Sequence, residues 1–221
     1  MRNKINTVAI ILTALSFLLI QSCKEDTTPP KITIIGSADT TIAKNTVYVD
    51  PGATAEDDKD ETVYVITNFS ASNPDETVPG DYIILYKAQD RNANMASATR
   101  IVSVTRTGSS IAYTYAVTDT SQFDTLYYSS SVTANIINPF QVYISNLENS
   151  SSFSGNAYAN LKGNTITIPS QRPDGPFSQY IVSGTGTISE ITPNIIWDLR
   201  YTILDTTNLP FVEQRHAAFI F

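Results

Sequence analysis

From residue 31 to residue 221 the chain is a succession of short runs in which apolar and polar residues alternate, each closed off by Gly, Pro, Asn or Asp. No stretch carries the three-to-four-residue apolar period of an amphipathic helix. Period-two alternation is what a half-buried strand requires, because successive side chains leave a strand on opposite faces. Many such runs at close spacing, bounded by turn residues, read as a β-sandwich or barrel. The composition agrees: 12 Tyr and 9 Phe stand beside frequent Thr, and Met is scarce at 2. Aromatic and β-branched side chains suit a pleated surface better than a helix. The expected class is all-β.

A polar, small-residue joint, Arg106-Thr107-Gly108-Ser109-Ser110, divides the strand-like region into 31–106 and 109–221. In the first part the runs are 31–35, 46–49, 62–67, 81–88 and 98–105. Tyr82, Ile84, Tyr86 and Ala88 share one face of the fourth run and are expected to be buried. In the second part nine runs follow, at 111–117, 125–129, 132–136, 140–146, 155–161, 165–168, 179–189, 195–204 and 214–221. Gly163-Asn164 is a tight-hairpin signal. Gly184-Thr185-Gly186 marks a bulge or bend within a strand and not a phosphate cradle, since no helix follows. Both a closed barrel and an open sandwich remain compatible with this pattern.

Residues 1–22 have the form of a secretory signal, with Arg2 and Lys4 ahead of an apolar stretch from Val8 to Ile20. That stretch is shorter than the roughly 20 residues a membrane-spanning helix needs. Ile20-Gln21-Ser22-Cys23 resembles a bacterial lipoprotein box. The resemblance implies removal of residues 1–22, a diacylglycerol thioether on Cys23 and an acylated new N-terminus. It also accounts for Cys23 being the one cysteine, which excludes an internal disulfide and a cysteine-based zinc site. Lys24-Glu25-Asp26 resembles the surface-export signal of Bacteroidota lipoproteins. Residues 23–30 then form a tether, whose seven residues after the cysteine reach roughly 20 Å if extended. Loss of the signal leaves 12 basic against 21 acidic residues, a net charge of −9. With no basic stripe, nucleic acid is not an expected partner.

Asp50-Pro51-Gly52-Ala53-Thr54-Ala55, Pro79-Gly80-Asp81-Tyr82 and Tyr86-x-Ala88-x-Asp90-x-Asn92 resemble the bacterial surface immunoglobulin-like domain named for a pesticidal crystal protein. That resemblance implies an Ig-like β-sandwich in which Tyr82 opens the penultimate strand as a corner tyrosine. The pattern from Phe140 to Leu147, from Ala157 to Gln171 and from Tyr180 to Ser189 resembles the lipocalin-like C-terminal domain of Bacteroidota surface lipoproteins encoded beside SusC/SusD-type importers. It implies an antiparallel β domain and brings no catalytic residues.

Chemistry-bearing residues are few. His216 is the one histidine, which excludes multi-histidine metal sites, and it reads as a surface or edge residue. No Gly-x-Ser-x-Gly elbow accompanies it. Among Asp174, Glu190, Asp198, Asp205 and Glu213 nothing selects an acid–base pair of the separation that glycoside hydrolysis requires. Asp57, Asp58 and Asp60, with Asp90 arriving from a neighbouring turn, form a candidate calcium site or else a solvated acidic loop. Phe177, Tyr180, Tyr127 and Tyr128 are candidate ligand platforms, with core packing as the competing role. Trp197, alternating with Ile195 and Leu199, reads as core. The resulting expectation is a non-enzymatic, lipid-anchored outer-membrane surface protein without a cofactor. It would serve a TonB-dependent transporter and its SusD-like partner in capturing oligosaccharides or peptides. A structural or adhesive envelope protein and a hydrolase are the alternatives.

Overall fold

The computed structural model describes residues 25–60, 62–70, 73–147, 156–173, 180–203 and 211–221. Among the described residues there are fourteen strands and one 3-10 turn, and no helix long and apolar enough to cross a membrane. The all-β expectation is met by a sandwich-like first domain and a closed barrel.

In the first domain β1 (Lys31–Ile34) pairs with β3 (Ala53–Glu56). The facing sheet has the order β2-β6-β5-β4, from β2 (Asp39–Ala43), β4 (Val65–Thr67), β5 (Gly80–Gln89) and β6 (Met95–Thr105). The alternation of β5 does what its pattern dictates: Ile84, Tyr86 and Ala88 are buried, and Tyr82 is half-buried. The Tyr82 hydroxyl donates to the Val78 carbonyl at 2.8 Å, tying the corner to the strand it opens. Ile84, Tyr86 and Val102 pack with Ile32, Ile34 and Ile42 from the other strands.

One local expectation differs. Run 46–49 is not a strand: a turn with Asn45 at φ 66° precedes it, and the Tyr48 amide is taken by the Glu76 side chain at 3.1 Å. In its place stand β2 and β3. Strand β2 is polar and short, and it exists because β6 offers it a parallel ladder from Asp39↔Ile101 to Ala43↔Thr105. A partner so distant in sequence leaves no local signature.

The barrel runs in chain order through β7 (Thr114–Thr120), β8 (Thr125–Ala134), β9 (Gln141–Ser145), β10 (Asn156–Lys162), β11 (Thr165–Gln171), β12 (Tyr180–Ile188), β13 (Ile195–Ile203) and β14 (Phe211–Ile220). Each is antiparallel to its neighbours, and β14 closes onto β7. Runs 125–129 and 132–136 are one strand, so eight strands replace nine. Ser129-Ser130-Ser131 carries β8 through the apparent break because the inward Ser130 hydroxyl donates to the Ser145 carbonyl at 2.5 Å, so its burial leaves no orphan. Gly163 sits at φ 60° as the first residue of the two-residue hairpin between β10 and β11.

Gly184 and Gly186 are not a bulge. Strand β12 stays in unbroken register with β13 from Tyr180↔Ile203 to Ile188↔Ile195. A Cβ at Gly186 would lie 2.8 Å from the Trp197 ring, and one at Gly184 2.6 Å from the Asp198 carbonyl. The glycines are there so that neighbouring groups can lie on bare backbone. The register shift falls instead on β11, between Ile168 and Gln171.

The two domains are joined end to end. Arg106 donates from Nε to Asn164 Oδ1 at 3.1 Å and from Nη2 to the Ser189 and Glu190 carbonyls at 2.9 and 2.7 Å. The Gly163 amide donates to Thr105 Oγ1 at 3.0 Å, and Lys162 Nζ lies 3.2 Å from Asp81. The joint then forms a 3-10 turn, Gly108–Ile111, whose Ile111 is fully buried in the barrel's core cluster. The polar joint that divides the two domains in the sequence is thus a fastened junction.

Candidate functional site

Parity along β7 and β14 decides what fills the barrel. On β14 the inward side chains are Glu213, Arg215, Ala217 and Phe219, and on β7 they are Tyr115, Val117 and Asp119. Towards the junction end, Trp197, Phe219 and Tyr115 make an aromatic floor. Towards the other end the same faces carry charge. Arg215 Nε lies 2.9 Å from Asp119 Oδ1, Nη1 2.6 Å from Glu213, and Nη2 2.8 Å from Asp124 in the β7–β8 loop. The Tyr128 hydroxyl sits between Asp119 and the Leu147 carbonyl, which also accepts from Tyr201 at 3.0 Å. Burial pushes the Asp119 carboxyl above its ordinary value, against the downward pull of Arg215 and Tyr128. The Arg215 guanidinium, held by three carboxylates, is pushed further upward despite its burial.

This network lies directly beneath a groove on the outer wall. Strand β14 pairs with β7 only from His216↔Thr120 onward, so its residues 211–215 run past the end of β7. The gap is a groove of about 460 Å³. Thr120, Ser121 and Gln122 line one side, and Asp198, Arg200, Gln214 and His216 the other. Cross-strand register places Asp198 opposite His216 and Arg200 opposite Gln214 on the solvent face. His216 Nδ1 is 2.9 Å from Asp198 Oδ1, and both side chains are exposed. Ser121 lies in the same groove, but its hydroxyl faces Asp124 at 3.1 Å and accepts the Phe123 amide at 3.0 Å. Phe123, next along this loop, is 63% exposed and meets the 45% exposed Phe211 with ring centroids 5.8 Å apart.

The expected site residues do not assemble in one place. Tyr127 is 73% exposed on the barrel exterior, and its neighbour Tyr128 turns inward, as adjacent strand residues must. Tyr180 is not an exposed platform. It is 1% exposed because it shares the inward face of β12 with Val182, and its ring lies 5.5 Å from that of Tyr201. Phe177 lies outside the described residues, as do Cys23 and Lys24.

Of the candidate calcium ligands, Asp57 and Asp58 come together, with Asp26 as third partner: one carboxylate oxygen of each lies within 4.8 Å of the others. Asp60 and Asp90 are occupied elsewhere. Asp60 accepts the Arg91 amide at 2.7 Å, and Asp90 accepts the Asn92 and Asn94 amides at 2.9 and 2.7 Å, closing the β5–β6 turn. Lys59 Nζ reaches Asp26 at 2.8 Å and supplies the trio with a cation of its own. That hydrogen bond, with one from the Thr28 amide, holds the Asp26 carboxyl below its ordinary value. Glu25 is exposed.

Asp26 also revises the tether. It is only 8% exposed, and its carbonyl accepts from Asn94 Nδ2 at 3.0 Å. The chain is already seated on the first domain three residues after Cys23, a span of about 11 Å at most. The expected 20 Å stalk is thus largely folded down.

Residues 32–104 match the family described as bacterial surface protein, Ig-like domain, which spans the first domain. No curated protein sequence matches the chain. A crystal structure of the lipoprotein BT2262 from Bacteroides thetaiotaomicron aligns at 15% identity over 86% of this chain and 99% of that one, with a TM-score of 0.31.

Proposed function

We propose that this protein is a lipid-anchored, surface-exposed lipoprotein of the outer membrane. Its barrel serves as the non-enzymatic binding subunit of a TonB-dependent nutrient importer of the SusC/SusD kind. The observation that carries the reading is the order of parts along the molecule. Asp26 is seated beside the 90–94 turn at the start of β6, and Thr105 leaves from its far end, about 35 Å away for an 11-residue strand. The barrel's hairpin tips at 163–164 and 189–190 meet that far end through Arg106 and Thr105. Antiparallel topology then puts the 121–124 loop and the groove at the opposite rim, away from the anchor side.

The lipoprotein-box resemblance at Cys23 and the surface Ig-like family of residues 32–104 support anchorage at the cell surface. The exposed Asp198–His216 pair supports binding rather than catalysis, because solvent around both groups removes the low-dielectric setting that an acid–base pair exploits. Affinity capture of the tagged protein from native membranes in mild detergent is expected to recover a TonB-dependent transporter with its SusD-like partner. Recovery of neither overturns the assignment.

A further inference from the structure

We infer that the groove between β7 and β14 binds a neutral polyhydroxylated ligand, a short oligosaccharide, with the Phe123–Phe211 pair as its apolar platform. This rests on the reading of the barrel as a binding module and names the ligand class of that module.

The charge balance comes first. Asp198 and Arg200, two residues apart on the solvent face of β13, bring opposite charges to the same side of the groove, and Arg215 is already held by Asp119, Glu213 and Asp124. With Arg215 compensated from below, the lining carries one acidic and one basic side chain, so it presents no net charge that would select a strongly anionic or cationic ligand. What the groove offers is a mixture of directional donors and acceptors: the Arg200 guanidinium, the Gln214 and Gln122 amides, the Thr120 hydroxyl and the Asp198 carboxylate. Planar groups with two hydrogen-bonding atoms engage vicinal hydroxyls two at a time. Opposition in register holds Arg200 and Gln214 about 5 Å apart at their Cβ atoms.

The platform is the second observation, and it stands on different residues. Two large aromatic side chains are left in solvent at the rim beside this polar row. Ring faces accept the C–H faces of a sugar, leaving its hydroxyls to the polar groups. The loop that carries Phe123 is pinned in advance by the Asp124 contact to Arg215 and by Ser121, so little ordering is left for the ligand to induce. The buried ion network thereby acts as the positioning support of the site.

A glycan array carrying neutral and acidic oligosaccharides, probed with the labelled full chain in detergent, tests this. The array is paired with competition by a tryptic peptide mixture. Binding is expected to be confined to neutral oligosaccharides. It should fall by about tenfold or more in the doubly substituted R200A/Q214A chain and in F123A, the scale of one or two lost charged hydrogen bonds or of a lost ring contact. Both variants change exposed side chains, and unaltered Trp197 fluorescence certifies the fold. Binding of acidic glycans alone, displacement by peptides, equal binding by the variants or no binding at all overturns the inference. Capture of the importer by the same R200A/Q214A chain stays intact if only the ligand class is wrong and is lost from the unmodified chain if the importer reading is wrong.

Discussion

Arg215 Nε lies 2.9 Å from Asp119 Oδ1 across the seam where the barrel's last strand meets its first, and Asp119 is fully buried. A closed barrel has one such seam between its chain ends, and here an ion pair fastens it at the end where the strand ladder stops. Removing one partner of a buried pair leaves the other charge uncompensated, which costs about 3–5 kcal/mol. Arg215→Met should therefore destabilise the barrel by that amount in urea unfolding followed by Trp197 fluorescence. The double variant D119N/R215M should recover part of the loss, and strictly additive effects would refute a coupled pair.

Gly186 is expected to tolerate no side chain. The added methyl of Gly186→Ala would meet the Trp197 ring at 2.8 Å and Ile166 Cγ2 at 3.0 Å. Overpacking of this kind costs about 1–3 kcal/mol. Gly80→Ala, whose nearest new neighbour is the Tyr82 ring at 4.0 Å, serves as the control and should leave the unfolding midpoint nearly unchanged.

Acid should act on the two domains with opposite sign. In the first domain, hydrogen bonds hold three carboxyls below the ordinary 3.8: Asp26 by Lys59, Asp75 by Thr77 and Asp81 by Ser103. Lowered folded values give stability that is present above about 3.8 and lost as pH falls through them. Asp119 in the barrel is raised by burial, so its contribution is whole below 3.8 and is lost as pH rises through the folded value. Between pH 5 and pH 2 (a range set by these values), amide signals of the first domain should broaden or shift before Trp197 fluorescence changes. Simultaneous loss of both would contradict this division.

The junction should be stiff, and its stiffness should depend on one side chain. Arg106 contacts Asn164 and two carbonyls of the β12–β13 loop. Arg106→Ala should let the domains reorient without unfolding either one. Small-angle scattering would then report a broader distribution of end-to-end lengths, with circular dichroism unchanged. An unchanged distribution would locate the stiffness in the Lys162–Asp81 and Thr105–Gly163 contacts instead.

What could be read from the chain alone is what depends on neighbours in sequence. Period-two alternation identified β5 and most barrel strands, because which face a residue occupies is set by its parity and needs no partner. The Gly163-Asn164 hairpin and the Tyr82 corner were legible for the same reason: each is closed within four residues. The tertiary structure alone decided closure of the barrel, since β14↔β7 pairing joins residues about a hundred positions apart and an open sandwich satisfies the same alternation. It also decided that β2 is a strand, and that Asp26 belongs to the acidic loop and not to a stalk. One signal was present but silent: Glu213 and Arg215 share parity with Ala217 and Phe219, so charge sits where an apolar residue is due. Only the arrival of Asp119 from β7 and of Asp124 from the loop that follows it makes those buried charges tolerable. Charge compensation in a low-dielectric interior is a property of three-dimensional distance, which local sequence does not encode.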